Sequence, residues 1–94
     1  MNPLIETNKN KILSIAKKRG ASQIKVFGSM ATDKATDKSD VDFLVEMQQG
    51  TSAFALGGLL KDLENLLGRR VDMTTPDALH PSIRDKILND AIEL

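Results

Sequence analysis

Asp40 and Asp42 stand two apart in the run SDVDFLVEM, residues 39–47. Val41, Phe43 and Val45 alternate there with Asp40, Asp42 and Leu44, the period of a strand. Side chains two apart on a strand leave the same face, so the two carboxylates sit side by side, opposite the apolar positions. Adjacent carboxylates repel each other and are costly to desolvate. A divalent cation turns that liability into a binding site. Hard oxygen donors on neighbouring positions suit Mg²⁺, which keeps some waters and completes its shell from substrate phosphates. A third carboxylate, Asp72, alternates with Val71 and Met73 later in the chain. If its strand neighbours the first pair, three carboxylates converge. Such a set is able to hold two metal ions roughly 3.5–4 Å apart for in-line displacement at phosphorus.

Gly28-Ser29 supplies the complementary part. It follows QIKVF, residues 23–27, a short β-prone run. A strand that ends in Gly-Ser lets backbone N–H groups and a hydroxyl approach phosphate oxygens with no Cβ in the way. Gly-Ser turns are common, and Ser29 could equally serve as a helix cap. The order is more specific than any one part: strand, Gly28-Ser29, ten residues, Asp40-x-Asp42 on a strand, then Asp72 on a later strand.

The elements that must position these residues follow from caps and periodicity. Asn2 and Pro3 form a helix N-cap and first-turn proline. Ile5, Ile12, Ile15 and Ala16 recur near helical spacing until Lys17-Lys18-Arg19-Gly20, a stop signal. Residues 31–38 read ATDKATDK, a four-residue unit written twice, too short for an architectural repeat and best placed as a polar surface loop that begins with a short helical turn. After the second strand, Thr51 or Ser52 caps a helix whose stripe is Leu56, Leu59, Leu60, Leu63, Leu66 and Leu67, closed by Gly68. Gly57-Gly58 inside it costs roughly 1 kcal/mol per glycine relative to alanine, and close packing against the sheet is the expected compensation. Residues 70–74 make a third strand. Thr75-Pro76 and His80-Pro81 both look like helix starts, and Ile83, Ile87, Leu88, Ala91 and Ile92 carry the last helix. The expected fold is α/β, a mixed sheet of three main strands flanked by helices, in one domain spanning residues 1–94.

Composition narrows the function. Thirteen Lys and Arg balance thirteen Asp and Glu, so no basic excess marks a nucleic-acid footprint. Three Phe with no Tyr or Trp supply little for a base-stacking platform, and direct nucleic-acid binding is not expected. The absence of Cys excludes disulfides and thiolate metal sites. The first residues, MNPLIETNKNK, lack the apolar run of a signal peptide. The longest uncharged stretch, residues 47–60, is shorter than the ~20 apolar residues of a membrane span. A cytoplasmic protein with no membrane association is expected.

The pattern GSMA…SDVDFLVE…GRRVDMTTPDALHPSIRDKILNDAIEL resembles the minimal nucleotidyltransferases of the DNA polymerase beta superfamily. The likeness extends from residue 23 to residue 94 and is strongest between Gly28 and Asp42. It implies a small nucleotidyltransferase fold, ATP as nucleotide substrate, and Mg²⁺ as two ions on Asp40, Asp42 and Asp72. Asp72 then serves the ion nearer the acceptor, and Gly28 and Ser29 hold the terminal phosphates. It also implies an antitoxin that adenylylates a tyrosine of a HEPN-domain toxin and assembles with it. So short a chain has little room for an acceptor domain, which also points to a separate partner as acceptor. Two rivals are an antitoxin that masks its partner through a weak nucleotide site, and a small-molecule nucleotidyltransferase of the antibiotic-modifying kind. The sequence departs from the family where Gly-Ser-x-Ala is usually followed by Arg-Gly: here stand Thr32 and Asp33. A cation is lost and an anion gained, for which Lys34 or Lys38 could substitute.

The remaining charged residues have plainer roles. Asp72 could instead pair with Arg69 or Arg70. His80, the single histidine, is expected as an N-cap or surface residue. Arg69-Arg70 and Lys17-Lys18-Arg19 are expected as solvated helix-end charges.

Overall fold

The computed structural model describes residues 1–94. Helix α1 (Pro3–Lys18) starts where Asn2 Oδ1 accepts a hydrogen bond from the Leu4 N–H at 2.8 Å, with Pro3 in the first turn. Proline fits there because the first helical N–H groups have no partner in any case. Ile5, Ile12 and Ala16 form its buried stripe. The chain then turns through Gly20, at φ +93°, into strand β1 (Ala21–Phe27). A short 3₁₀ turn, Gly28–Met30, and a polar loop lead to β2 (Val41–Met47). Helix α2 (Ala53–Leu67) follows and ends on Gly68 in the left-handed conformation. Next come β3 (Val71–Thr74), a 3₁₀ turn at Pro76–Ala78, helix α3 (Pro81–Asp90) and β4 (Ile92–Glu93).

The sheet is mixed, with strand order β3-β2-β1-β4. β2 pairs antiparallel with β1 and parallel with β3, and β4 pairs antiparallel with β1 at the other edge. One face carries Ile24, Val26, Val41, Phe43, Val45 and Val71, and these pack with the stripes of α1 and α2 into a single cluster. Leu59, Leu63 and Leu67 are the fully engaged part of the leucine stripe. A fully buried Phe, Leu or Ile contributes roughly 1.5–3 kcal/mol, so this face holds β1 and β2 in register. Leu44 alternates onto the opposite face and is also buried, outside that cluster. No helix is long and apolar enough to cross a membrane.

Four local outcomes differ from the spacing. Ala91 and Ile92 leave the last helix: α3 stops at Asp90, and Ile92 pairs with Val26 in β4. The ten-residue helix buries none of its side chains, whereas the β1 edge offers unpaired backbone, so the ladder takes the segment. Asp40 falls just before β2 rather than within it. Ser52 occupies the N-cap of α2 without a capping hydrogen bond, while the Thr51 hydroxyl donates to the Gln48 carbonyl at 2.6 Å. Finally, Gly58 does not face the sheet. The Arg19 guanidinium lies over it, 2.6 Å from where a Cβ would stand, and Arg19 Nε donates to Asp62 Oδ2 at 2.7 Å. The glycine lets Arg19 cross α2 to reach Asp62.

Gly57 is exposed, and a Cβ there would meet nothing within 4 Å. Gly57→Ala should therefore raise stability by about 1 kcal/mol through helix propensity alone. Gly58→Ala should gain less, because the new methyl displaces Arg19 from Asp62. Urea midpoints of the two variants check this, and a Gly57→Ala variant no more stable than the parent would contradict it.

Candidate active site

Strand register assembles the site. Phe27 is the antiparallel partner of Asp42, and Asp42 is the parallel partner of Asp72. Paired residues share a face, so Phe27, Asp42 and Asp72 form a row across three strands. The row lies where β1 ends and β2 and β3 begin, on the face opposite the main core cluster. Asp40 precedes the ladder, which starts at Val41, whose N–H donates to the Arg70 carbonyl at 3.0 Å.

Gly28 follows the row directly. Its φ is +70°, a conformation L side chains rarely adopt, and a Cβ on it would stand 2.6 Å from Asp42 Oδ2. Two independent constraints therefore demand glycine, and backbone meets carboxylate with nothing between. The Ala31 and Thr32 N–H groups both donate to the Gly28 carbonyl, at 3.1 and 3.2 Å, and the Thr32 hydroxyl does so at 3.2 Å. No side chain caps this turn, so Ser29 does not act as a cap.

The loop that delivers Asp40 is tied down by Arg69. Its guanidinium donates to the Thr36 carbonyl at 2.9 Å and to the Ser39 carbonyl at 3.3 Å. Arg69 is thus neither a solvated helix end nor a partner for Asp72. The available signal was its place between the Gly68 helix stop and the Asp72 strand, beside a polar loop that has to reach the neighbouring strand. Asp33 holds φ +60°, at the position where the resembling family carries glycine, and its Oδ1 lies 3.3 Å from the Met1 amino nitrogen. His80 caps α3, its Nδ1 accepting from the Ser82 N–H at 3.1 Å.

Asp40, Asp42 and Asp72 form no ion pair. Burial pushes the Asp42 carboxyl above its ordinary value of 3.8, and the charges of Asp72 and then Asp40 push it further. Both charges therefore act on Asp42, yet no three Asp, Glu or His side chains are gathered closely enough to hold an ion as they stand. Asp72 is exposed, and Asp40 lies off the end of the strand. The expected convergence is therefore one of register and field, not a closed cage.

A groove of about 270 Å³ continues the row past Phe27 and Gly28, walled by Ile83, Lys86, Ile87 and Asp90 of α3. Two larger hollows, of about 410 and 380 Å³, are lined at the other end of β1 and β2, and neither includes Gly28, Ser29 or any carboxylate of the site. Gly28 thus borders the smaller groove alone, and Asp40, Asp42 and Asp72 line none of the three.

A sequence profile of the nucleotidyltransferase domain matches residues 9–94. A Methanocaldococcus jannaschii protein, provisionally named a protein adenylyltransferase, is 40% identical over 86 residues, 92% of each chain. Protein adenylyltransferase MntA of Thermococcus cleftensis is 36% identical over 73 residues, 78% of this chain and 74% of its own. One solved structure, provisionally described as a minimal nucleotidyltransferase, superposes with a TM-score of 0.87 at 35% identity, covering 100% of this chain and 97% of that one. A chain from a Shewanella oneidensis complex of tri-AMPylated HEPN toxin and MNT antitoxin superposes with a TM-score of 0.68 at 19% identity, covering 94% of this chain and 69% of that one, a likeness of fold alone.

The raised Asp42 carboxyl gives a pH signature. The folded chain binds that proton more tightly than the unfolded chain, so its contribution to stability is full below 3.8 and is lost as pH rises through the folded value. Asp42→Asn removes that loss. The variant should melt above the parent near neutral pH without divalent cation, with the gap closing below 3.8. Thermal melts across pH check it. A variant that melts lower at neutral pH would show that Asp42 is stabilised rather than strained.

Proposed function

The chain belongs to the nucleotidyltransferase domain family, and within it we propose a protein adenylyltransferase antitoxin that moves AMP from ATP onto a tyrosine hydroxyl of a HEPN-domain toxin. The observation that carries the chemistry is Gly28 held against Asp42, with Asp72 in register beside it. The acceptor class is supported by the relatives named as protein adenylyltransferases and by the fold shared with an antitoxin bound to an AMPylated HEPN toxin.

The donor set fits a divalent cation: hard oxygens, no basic side chain paired with them, and a carboxyl raised first by burial and then by its like-charged neighbours. Asp40, Asp42 and Asp72 would hold Mg²⁺, as two ions. When bound, it neutralises triphosphate charge and makes the acceptor oxygen a better nucleophile.

The residues themselves do the rest. Gly28 lets backbone N–H groups reach phosphate oxygens, and Ser29 adds a hydroxyl to the same cradle. Phe27, Ile83 and Ile87 give one side of the site apolar surface, which strengthens polar contacts made beside it. Asp72, the most exposed of the three carboxylates, faces the acceptor and takes the hydroxyl proton. The acceptor oxygen bonds to the α-phosphorus, the bond from that phosphorus to the β-bridging oxygen breaks, and pyrophosphate leaves.

A masking role is the second reading, favoured by Thr32 and Asp33 in place of the family's Arg-Gly and by carboxylates that are not gathered. Mass spectrometry of a purified HEPN partner, incubated with this chain, ATP and Mg²⁺, separates the two. Transfer leaves the mass of one or more AMP groups on a tyrosine. Asp42→Asn should abolish that mass while its circular dichroism stays native. A stable complex that never gains nucleotide would select masking.

Nucleotide binding should also depend on Gly28. Gly28→Val places a branched side chain into Asp42 and into left-handed backbone that costs it roughly 1–2 kcal/mol. Titration calorimetry should show ATP affinity lost in that variant. Equal affinity in a folded variant would place the phosphates elsewhere.

A further inference from the structure

We infer that Lys86 is a polyphosphate-binding residue of this site, an assignment that rests on the nucleotidyl-transfer reading and goes beyond it. The charge balance of the site creates the need. Asp40, Asp42 and Asp72 present three anions toward which an anionic triphosphate has to move, and Asp90 adds a fourth on the groove wall. The turn beside Gly28 offers no cation in return, since Thr32 is neutral and its hydroxyl is spent on the Gly28 carbonyl.

Arg69, Lys34, Lys38 and Lys25 are placed differently. Arg69 is committed to the carbonyls of Thr36 and Ser39. Lys34 and Lys38 are exposed on the loop and line no hollow with Gly28. Lys25 lies further back on β1, directly across from Glu93 of β4. Lys86 alone brings a positive charge to the groove that contains Gly28.

The helix that carries it is built for this. Ile83, Lys86, Ile87 and Asp90 fall at helical spacing of three and four, so they share one face of α3. That face is not used for packing. The helix buries no residue, and Ile83 is 47% exposed. The face instead fronts the groove. Its isoleucines and Phe27 give the lysine stem apolar surface to lie along, leaving the ammonium at the polar end. Lys86 forms no ion pair. On the shared face its acidic neighbour, Asp90, stands four residues C-terminal, the less favourable order for such a pair.

Calorimetry with MgATP and with AMP, on the purified chain, tests the assignment. Lys86→Ala should weaken ATP binding about tenfold, the worth of one charge-assisted hydrogen bond, and leave AMP binding unchanged. Lys86→Arg should retain ATP affinity, and Lys34→Ala and Lys38→Ala should match the parent. The loss should shrink at high salt. Residue 32 also stands against the Gly28 carbonyl, so Thr32→Arg added to Lys86→Ala should restore much of the affinity. A folded Lys86→Ala that binds ATP as the parent does would overturn the assignment, and so would equal losses for ATP and AMP. A parent chain that binds no ATP would overturn the nucleotidyl-transfer reading along with it.

Discussion

Asp42 and Asp72 face each other across a parallel strand pair, with Asp40 nearby and no basic side chain paired to any of them. Repulsion of that kind is tolerated only because the rest of the sheet holds it. Val41, Phe43 and Val45, on the other face of the same strand, are all fully buried. Their burial fixes the register of β2, and a slip of one residue would exchange core and carboxylates. The same alternation thus supplies both the stability and the strain. Gly28 is the third party to this arrangement: its hydrogen in place of a Cβ is what allows Asp42 to be flanked by backbone on one side and by a like charge on the other.

Much of this was legible in the residues, for physical reasons that differ from element to element. Asn2-Pro3 announced α1 because capping chemistry is local, and the Asn2 side chain makes the expected bond. The alternation of residues 40–45 revealed the strand and its two faces because half-buried strands have period two. That Asp72 would stand beside Asp42 required the order of the strands, which spacing leaves open; the parallel pairing of β2 with β3 decides it.

Features that depended on long-range competition were harder to see. Ile92 continues an apolar helical series, yet it belongs to β4, because the edge of β1 is a better partner than an unpacked helix. Arg69 resembles any helix-end charge until the loop at Thr36 and Ser39 is brought beneath it. Gly58 looked like a packing glycine against the sheet and instead makes room for Arg19. In each case the local residues were compatible with two outcomes, and a partner distant in sequence chose between them. The openness of α3 has the same origin. Its isoleucines have helical spacing, but the sheet face they approach carries the carboxylates and the Gly28 turn, so they border a groove instead of a core.

The central claim is that Asp42 carries electrostatic strain that a divalent cation relieves. Carbon-detected NMR titration of the aspartate carboxyls reads this at the atom concerned. The account predicts that Asp42 titrates above the ordinary 3.8 in the metal-free chain and that Mg²⁺ moves its titration downward, with ATP strengthening the effect. An Asp42 carboxyl that titrates at or below 3.8, and whose resonance ignores Mg²⁺ and ATP, would contradict it.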